Sequence, residues 1–207
     1  AIHKRVGTWH KTVDGFICLT EFAKNIYERA GWPTKKLFIK PNFLIANPLV
    51  KTPTNIPANG YALFVGRLCK EKGLDLLLDA WQGISFPLVI IGDGPEKHLL
   101  DTVPSNIIYL GSKPKDEVLG YVKQAQFLVM ASTWYEGFPM VLVEAFSQGT
   151  CALVPNIGGM AEVVESGKNG MHFEVGNSQA LHTGALALIN NPSQCETLGH
   201  NARDIFE

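Results

Sequence analysis

From Tyr61 to Ile205, short apolar runs and helix-like patterns alternate without interruption, and that alternation restricts the chain to an α/β fold. Strands are expected at Tyr61 to Val65, Pro87 to Ile91, Ile107 to Leu110, Gln126 to Met130 and Ala152 to Val154, with a weaker one at Met171 to Val175. Between them the pattern predicts helices over Lys70 to Gln82, Glu96 to Thr102, Lys115 to Lys123, Pro139 to Gly149, Met160 to Val164, Ser178 to Ile189 and Ser193 to Ile205. The strand runs are apolar throughout instead of alternating with polar residues. Both sheet faces are then covered, as in a doubly wound, Rossmann-like parallel sheet. At 207 residues and 46% apolar content the chain can bury such a core.

Ahead of this region, Val13 to Thr20 reads as a strand. Thr20 caps a helix from Glu21 to Ala30 that stops at Gly31, and Leu37 to Ile39 is a further strand. Residues 41–60 hold Pro41, Pro48, Pro53 and Pro57 with no usable periodicity, and read as a linker between residues 1–40 and a domain over 61–207. The first residues, Ala1-Ile2-His3-Lys4-Arg5, resemble the end of an amphipathic helix cut from a longer chain, and no apolar stretch of signal-peptide type follows them.

Charge and composition exclude several classes. The net charge is −1 with no Lys/Arg run, which speaks against nucleic acid as a partner. No apolar run approaches the ~20 residues of a membrane helix. The four cysteines form no C-x-x-C pair, and Cys18 and Cys151 lie in strand-like runs, as buried thiols of a reduced, cytoplasmic protein would. The six histidines show no i, i+4 pairing, and there is no D-x-D pair, so neither a metal nor a cofactor is expected.

In open parallel sheets, ligands bind beyond the carboxyl ends of the strands, so the loops there carry the chemistry. Trp134 to Gly149 is the most informative. Glu136 precedes a helix opened by Pro139, and Glu144 is the one charge inside an otherwise apolar helix. Gly137 and Phe138 lead into it, and the free N–H groups of Met140, Val141 and Leu142 at its start suit an anion such as phosphate. Gly66-Arg67, with Lys72 and Gly73, sets two cations at the same mouth. Gly92-Asp93-Gly94-Pro95 resembles half of a dinucleotide fingerprint, with Lys97 at the third glycine position. Gly111, Ser112 and Lys113 can offer groups to a nucleobase, and Gly158-Gly159 implies close backbone approach to a ligand or a neighbouring loop. Each of these also has a plain structural reading, as a solvated loop charge, a tight turn or one edge-exposed Glu.

Together the motifs Gly66-Arg67, Lys72-Gly73, Gly92-Asp93-Gly94-Pro95, Leu110-Gly111, Glu136 with Glu144 in E-x7-E spacing, Gly149, Gly158-Gly159 and Glu162 resemble one family. It is the retaining glycosyltransferases of the GT-B fold with the group 1 (family GT4) signature. The resemblance implies that residues 61–207 form the nucleotide-sugar donor domain and that residues 1–40 are the last strand–helix–strand of an acceptor domain. It implies that Arg67 and Lys72 hold the donor diphosphate, Glu136 contacts the sugar and Glu144 bonds the ribose. The donor would be a UDP-, GDP- or ADP-sugar, and the acceptor a carbohydrate or lipid-linked molecule held by the other half. The isolated chain is expected to bind weakly and transfer nothing. Phe43, Cys151, Pro155, Asn156 and Ala161 depart from the usual pattern without touching the diphosphate residues. A GT-B epimerase or phosphorylase, or a non-catalytic nucleotide-binding module, would share most of the same residues.

Overall fold

The structure, a computed structural model, describes residues 3, 6–44, 50–54 and 56–206. Ala1, Ile2, Lys4, Arg5, linker residues 45–49 with Pro48, Asn55 and Glu207 lie outside the described residues, and so does most of the helix end expected at the start.

The main body is a six-stranded, all-parallel sheet of β3 (Ala62–Val65), β4 (Leu88–Ile91), β5 (Ile107–Tyr109), β6 (Phe127–Val129), β7 (Ala152–Pro155) and β8 (Gly170–Phe173), in the order β5-β4-β3-β6-β7-β8. The chain starts in the middle, winds outward to β5, then returns to β6 beside β3 and winds outward the other way. This is the doubly wound, Rossmann-like arrangement, and its order reverses between β3 and β6.

Successive residues of each strand enter opposite layers. Ala62, Phe64, Ile90, Val129 and Leu153 meet α3 (Leu74–Ala80) and α7 (Ser178–Ile189) on one face. Leu63, Val89, Ile91, Leu128 and Val154 meet α4 (Lys115–Gln124), α5 (Met140–Ser147) and α6 (Gly158–Val163) on the other. The last helix, α8 (Pro192–Phe206), contributes Leu198 to the first layer and Ala202 to the second. Tyr61 is fully buried, and its hydroxyl donates to the Tyr121 carbonyl at 2.6 Å. Burial pushes that phenol well above its ordinary range.

Residues 6–44 form α1 (Thr8–Thr12), then β1 (Phe16–Cys18) and β2 (Leu37–Ile39), a parallel pair joined by α2 (Glu21–Arg29). Thr20 caps α2 as its type predicts, accepting from the Ala23 N–H at 3.1 Å. Among the described residues no strand or helix lies between Ile39 and Ala62. The later part of this stretch docks on α4. Lys51 Nζ meets Asp116 Oδ2 at 2.7 Å, holding that carboxyl below its usual value, and the Lys51 carbonyl lies 1.9 Å from where a Cβ on Gly120 would stand.

Most expected elements agree with the observed ones to within a residue or two. Three differ more. The strand expected over Val13 to Thr20 is only three residues long. The helix expected at Glu96 is a 3₁₀ helix, Pro95–Leu100. The single helix expected over Lys70 to Gln82 is a 3₁₀ turn, Lys70–Lys72, followed by α3, broken where Gly73 adopts φ 65°. There the backbone passes so close to β6's loop that a Cβ would lie 2.1 Å from the Ala131 carbonyl oxygen.

Gly73→Ala therefore combines left-handed strain with a backbone clash, and should cost about 3 kcal/mol in urea unfolding. Gly83→Ala, at φ 78° with open space around it, should cost about 1 kcal/mol from the same left-handed strain. Equal costs would contradict the close approach at Gly73.

Candidate functional site

The strand order reverses between β3 and β6, where sheets of this kind form a ligand crevice beyond their carboxyl ends, and the loops leaving these two strands border that place. Strand β3 runs into Gly66-Arg67-Leu68-Cys69 and the Lys70–Lys72 turn, whereas β6 runs into residues 130–139. The two loops are tied across the crevice, with the Thr133 N–H donating to the Glu71 carbonyl at 3.0 Å.

Lys72 and Glu136 meet at the centre. Lys72 Nζ lies 2.5 Å from Glu136 Oε1, and the same oxygen accepts from Ser132 Oγ at 2.8 Å. Both side chains are mostly buried, 28% and 19% exposed, so each charge needs the other more than a surface pair would. An ammonium has three donors, so Lys72 keeps hydrogen-bonding capacity beyond Glu136. Arg67 is exposed at the mouth.

Below them α5 begins. Pro139 is its N-cap with φ −65°, and Met140 is the first helical residue. Among the described residues the N–H groups of Met140 and Val141 have no acceptor. The N–H of Leu142, expected to be free, instead donates to the Pro139 carbonyl at 3.1 Å. Glu144 is 13% exposed, one turn further on. Its partner is Lys115, from the first turn of α4, with Nζ 3.4 Å from Oε1. The Phe138 carbonyl receives Asn42 Nδ2 at 2.9 Å, which ties the chain after β2 to this loop.

The glycine loops take different roles. Gly92 and Gly94 are required by packing. A Cβ on Gly92 would stand 1.8 Å from the Gly66 carbonyl and one on Gly94 2.2 Å from the Leu68 carbonyl. Backbone bonds from Gly66 to Ile91, Leu68 to Asp93 and Gly92 to Gly111 zip the three loops together beyond the strands. Gly66 itself has room, because its Cβ would meet only the Phe64 ring at 3.7 Å. Gly111 has φ 69° and open space, and leads to exposed Ser112 and half-buried Lys113, 3.9 Å from Glu117. Gly158 and Gly159 approach a neighbouring loop: a Cβ on Gly159 would lie 2.5 Å from the Gly137 carbonyl.

Arg67 and Lys72 thus lie on the loop after β3, and Glu136, Gly137, Phe138 and Pro139 on the loop after β6 that leads to Met140, Val141 and Glu144 in α5; Lys72 and Glu136 join the two, and Gly111, Ser112 and Lys113 follow β5. Sequence reasoning missed Ser132, Lys115 and Asn42. Ser132 could have been suspected from its place one loop turn before Glu136, whereas nothing in sequence links Lys115 to Glu144. Among the described residues no group of three His, Cys, Asp or Glu side chains is placed to hold a metal, and no helix is long and apolar enough to cross a membrane.

Residues 52–205 match the family model described as glycosyl transferases group 1. The chain belongs to that family. An uncharacterized glycosyltransferase of Methanocaldococcus jannaschii is 37% identical to this group 1 chain over 149 residues, 70% of the chain and 42% of the relative. A phosphatidyl-myo-inositol mannosyltransferase of Mycobacterium leprae is 27% identical over 196 residues, 88% of the chain and 52% of the relative. The chain spans about half the length of these curated relatives. Among solved structures, Anabaena HepE in complex with UDP superimposes with a TM-score of 0.86 at 23% identity, covering 97% of this chain and 61% of that one. The group 1 chain has the doubly wound, Rossmann-like sheet, half of a GT-B fold, that the resemblance implied.

Two outcomes follow from the crevice. Lys72→Met strands the mostly buried Glu136 carboxylate and should lower stability by about 1–2 kcal/mol, the buried-pair cost reduced for partial exposure. Double substitution with Glu136→Gln should recover part of that loss in a thermal-melt cycle. Beside Arg67, burial and then the Glu71 carboxylate push the Cys69 thiol above its ordinary value of 9.0. Because the thiolate is the nucleophile, iodoacetamide labelling of Cys69 should still accelerate above pH 9. A plateau below that pH would contradict the assigned environment.

Proposed function

We propose that the chain is the nucleotide-sugar donor half of a retaining, metal-independent glycosyltransferase. The parent protein's other half would hold a carbohydrate or lipid-linked acceptor. The observation that carries the reading is the Lys72–Glu136 pair at the sheet's switch point, with exposed Arg67 on the loop of Lys72 and the start of α5 on the loop of Glu136. The spare donors of Lys72, the exposed Arg67 and the two unpaired N–H groups on the neighbouring loop support a diphosphate there.

In this reading the diphosphate is held by Arg67, Lys72 and the N–H groups of Met140 and Val141, with Gly66 leaving room beside it. Glu136, fixed by Lys72 and Ser132, faces the sugar. Glu144 offers the ribose hydroxyls the carboxylate oxygen that Lys115 leaves free, and Gly92, Gly111, Ser112 and Lys113 border the base. As the bond from the anomeric carbon to the phosphate oxygen breaks, positive charge builds on the sugar and negative charge on the phosphate. Arg67, Lys72 and the helix start stabilise the phosphate charge. The acceptor oxygen attacks from the face the phosphate leaves, and its proton passes to a phosphate oxygen. The M. jannaschii and M. leprae relatives and the UDP complex of Anabaena HepE support this reading by similarity.

Calorimetric titration of the chain with UDP, GDP and ADP, with and without magnesium, tests it. One diphosphate should bind without magnesium, and Glu144→Ala should weaken it by about tenfold, the loss of one or two hydrogen bonds to ribose. Absence of binding by all three would overturn the assignment. In the parent enzyme, Arg67→Ala or Lys72→Ala should each cost about 2–4 kcal/mol in kcat/KM, and the isolated chain should turn over no donor.

A further inference from the structure

We propose that Glu162, which none of the roles above uses, is a positioning residue that clamps the start of α2 against the loop carrying Glu136. The start of α2 is capped twice. Thr20 satisfies the Ala23 N–H locally, while Glu162 Oε1 accepts from the Glu21 N–H at 2.8 Å and Oε2 from the Phe22 N–H at 2.7 Å. A helix of this kind commonly adds an acceptor of its own, a Glu or Gln at its third residue whose side chain accepts from the N-cap N–H. Here Ala23 stands there, and the carboxylate comes from about 140 residues further along the chain.

The two elements joined by Glu162 are the two walls of the Glu136 loop. On one side α6, which carries Glu162, starts at Gly158-Gly159, so close that a Cβ on Gly159 would lie 2.5 Å from the Gly137 carbonyl and 2.8 Å from that of Glu136. On the other side the Phe22 ring packs against Tyr135 with centroids 5.1 Å apart, and Leu19 faces Gly137. The loop is held between α2 and α6, and the Glu162 carboxylate closes that bracket with two charge-assisted hydrogen bonds. Loss of the clamp lets the walls part and shifts Glu136, which under the donor reading above faces the sugar.

The test compares Glu162→Ala, Glu162→Gln and Thr20→Ala in the ¹⁵N-labelled chain by amide hydrogen exchange, loop chemical shifts and titration with UDP, GDP and ADP. Glu162→Ala should speed exchange at Glu21 and Phe22 by about tenfold. It should also shift the resonances of Glu136 and Gly137 and weaken the better-binding diphosphate several-fold. Glu162→Gln keeps one acceptor oxygen and should fall between. Thr20→Ala should loosen Ala23 and leave Glu136 and Gly137 in place, which separates clamping from a general loss of helix stability. Loosened Glu21 and Phe22 with unmoved Glu136 and Gly137 would reduce Glu162 to a helix cap and overturn the proposal, as would no change at any of these amides. If the unsubstituted chain binds none of the three nucleotides, the donor reading fails while the exchange and shift measurements still decide the clamp.

Discussion

Everything at the crevice depends on how closely two loops can pass where the strand order reverses. Strands β3 and β6 are neighbours, yet the helices that follow them leave to opposite faces, so the loops must diverge from a shared edge. They remain within hydrogen-bonding distance only because Gly73 has no side chain to strike the Ala131 carbonyl and can adopt a left-handed turn. From that approach follow the Thr133–Glu71 bond and the Lys72–Glu136 pair.

The two carboxylates of the crevice, Glu136 and Glu144, each have a partner. Lys72 and Ser132 hold Glu136, and Lys115 holds Glu144, so both members of the E-x7-E spacing have a cation before any ligand arrives. Stranding a mostly buried carboxylate would cost more than the pair gains, so these contacts secure a defined geometry more than they add stability. The capacity left over lies on the crevice side: further donors on Lys72, the N–H groups of Met140 and Val141, and one oxygen of Glu144. Glu162 extends the same logic to the outer wall, where a carboxylate satisfies a helix start and fixes a loop at once.

Much of this was readable in the sequence because it is local. Apolar strand runs, Thr20 as a cap, the stop at Gly149 and the placing of Glu136 before a helix all follow from neighbouring residues. Such patterns were enough for the parallel sheet and for the set of loops at its edge. What the sequence hid depends on contacts between distant segments. The break at Gly73 is imposed by Ala131, and packing against the carbonyls of Gly66 and Leu68 requires the glycines at 92 and 94. Likewise Lys115 reaches Glu144 only because α4 and α5 lie side by side, and the inward turn of the Leu142 N–H reflects a tight first turn behind Pro139.

The most direct measurement is a structure of this chain with its tightest-binding nucleoside diphosphate. The account predicts phosphate oxygens within hydrogen-bonding reach of Arg67, Lys72 and the N–H groups of Met140 and Val141, with a ribose hydroxyl on Glu144. A nucleotide bound elsewhere, or one whose phosphates lie away from the start of α5, would contradict it.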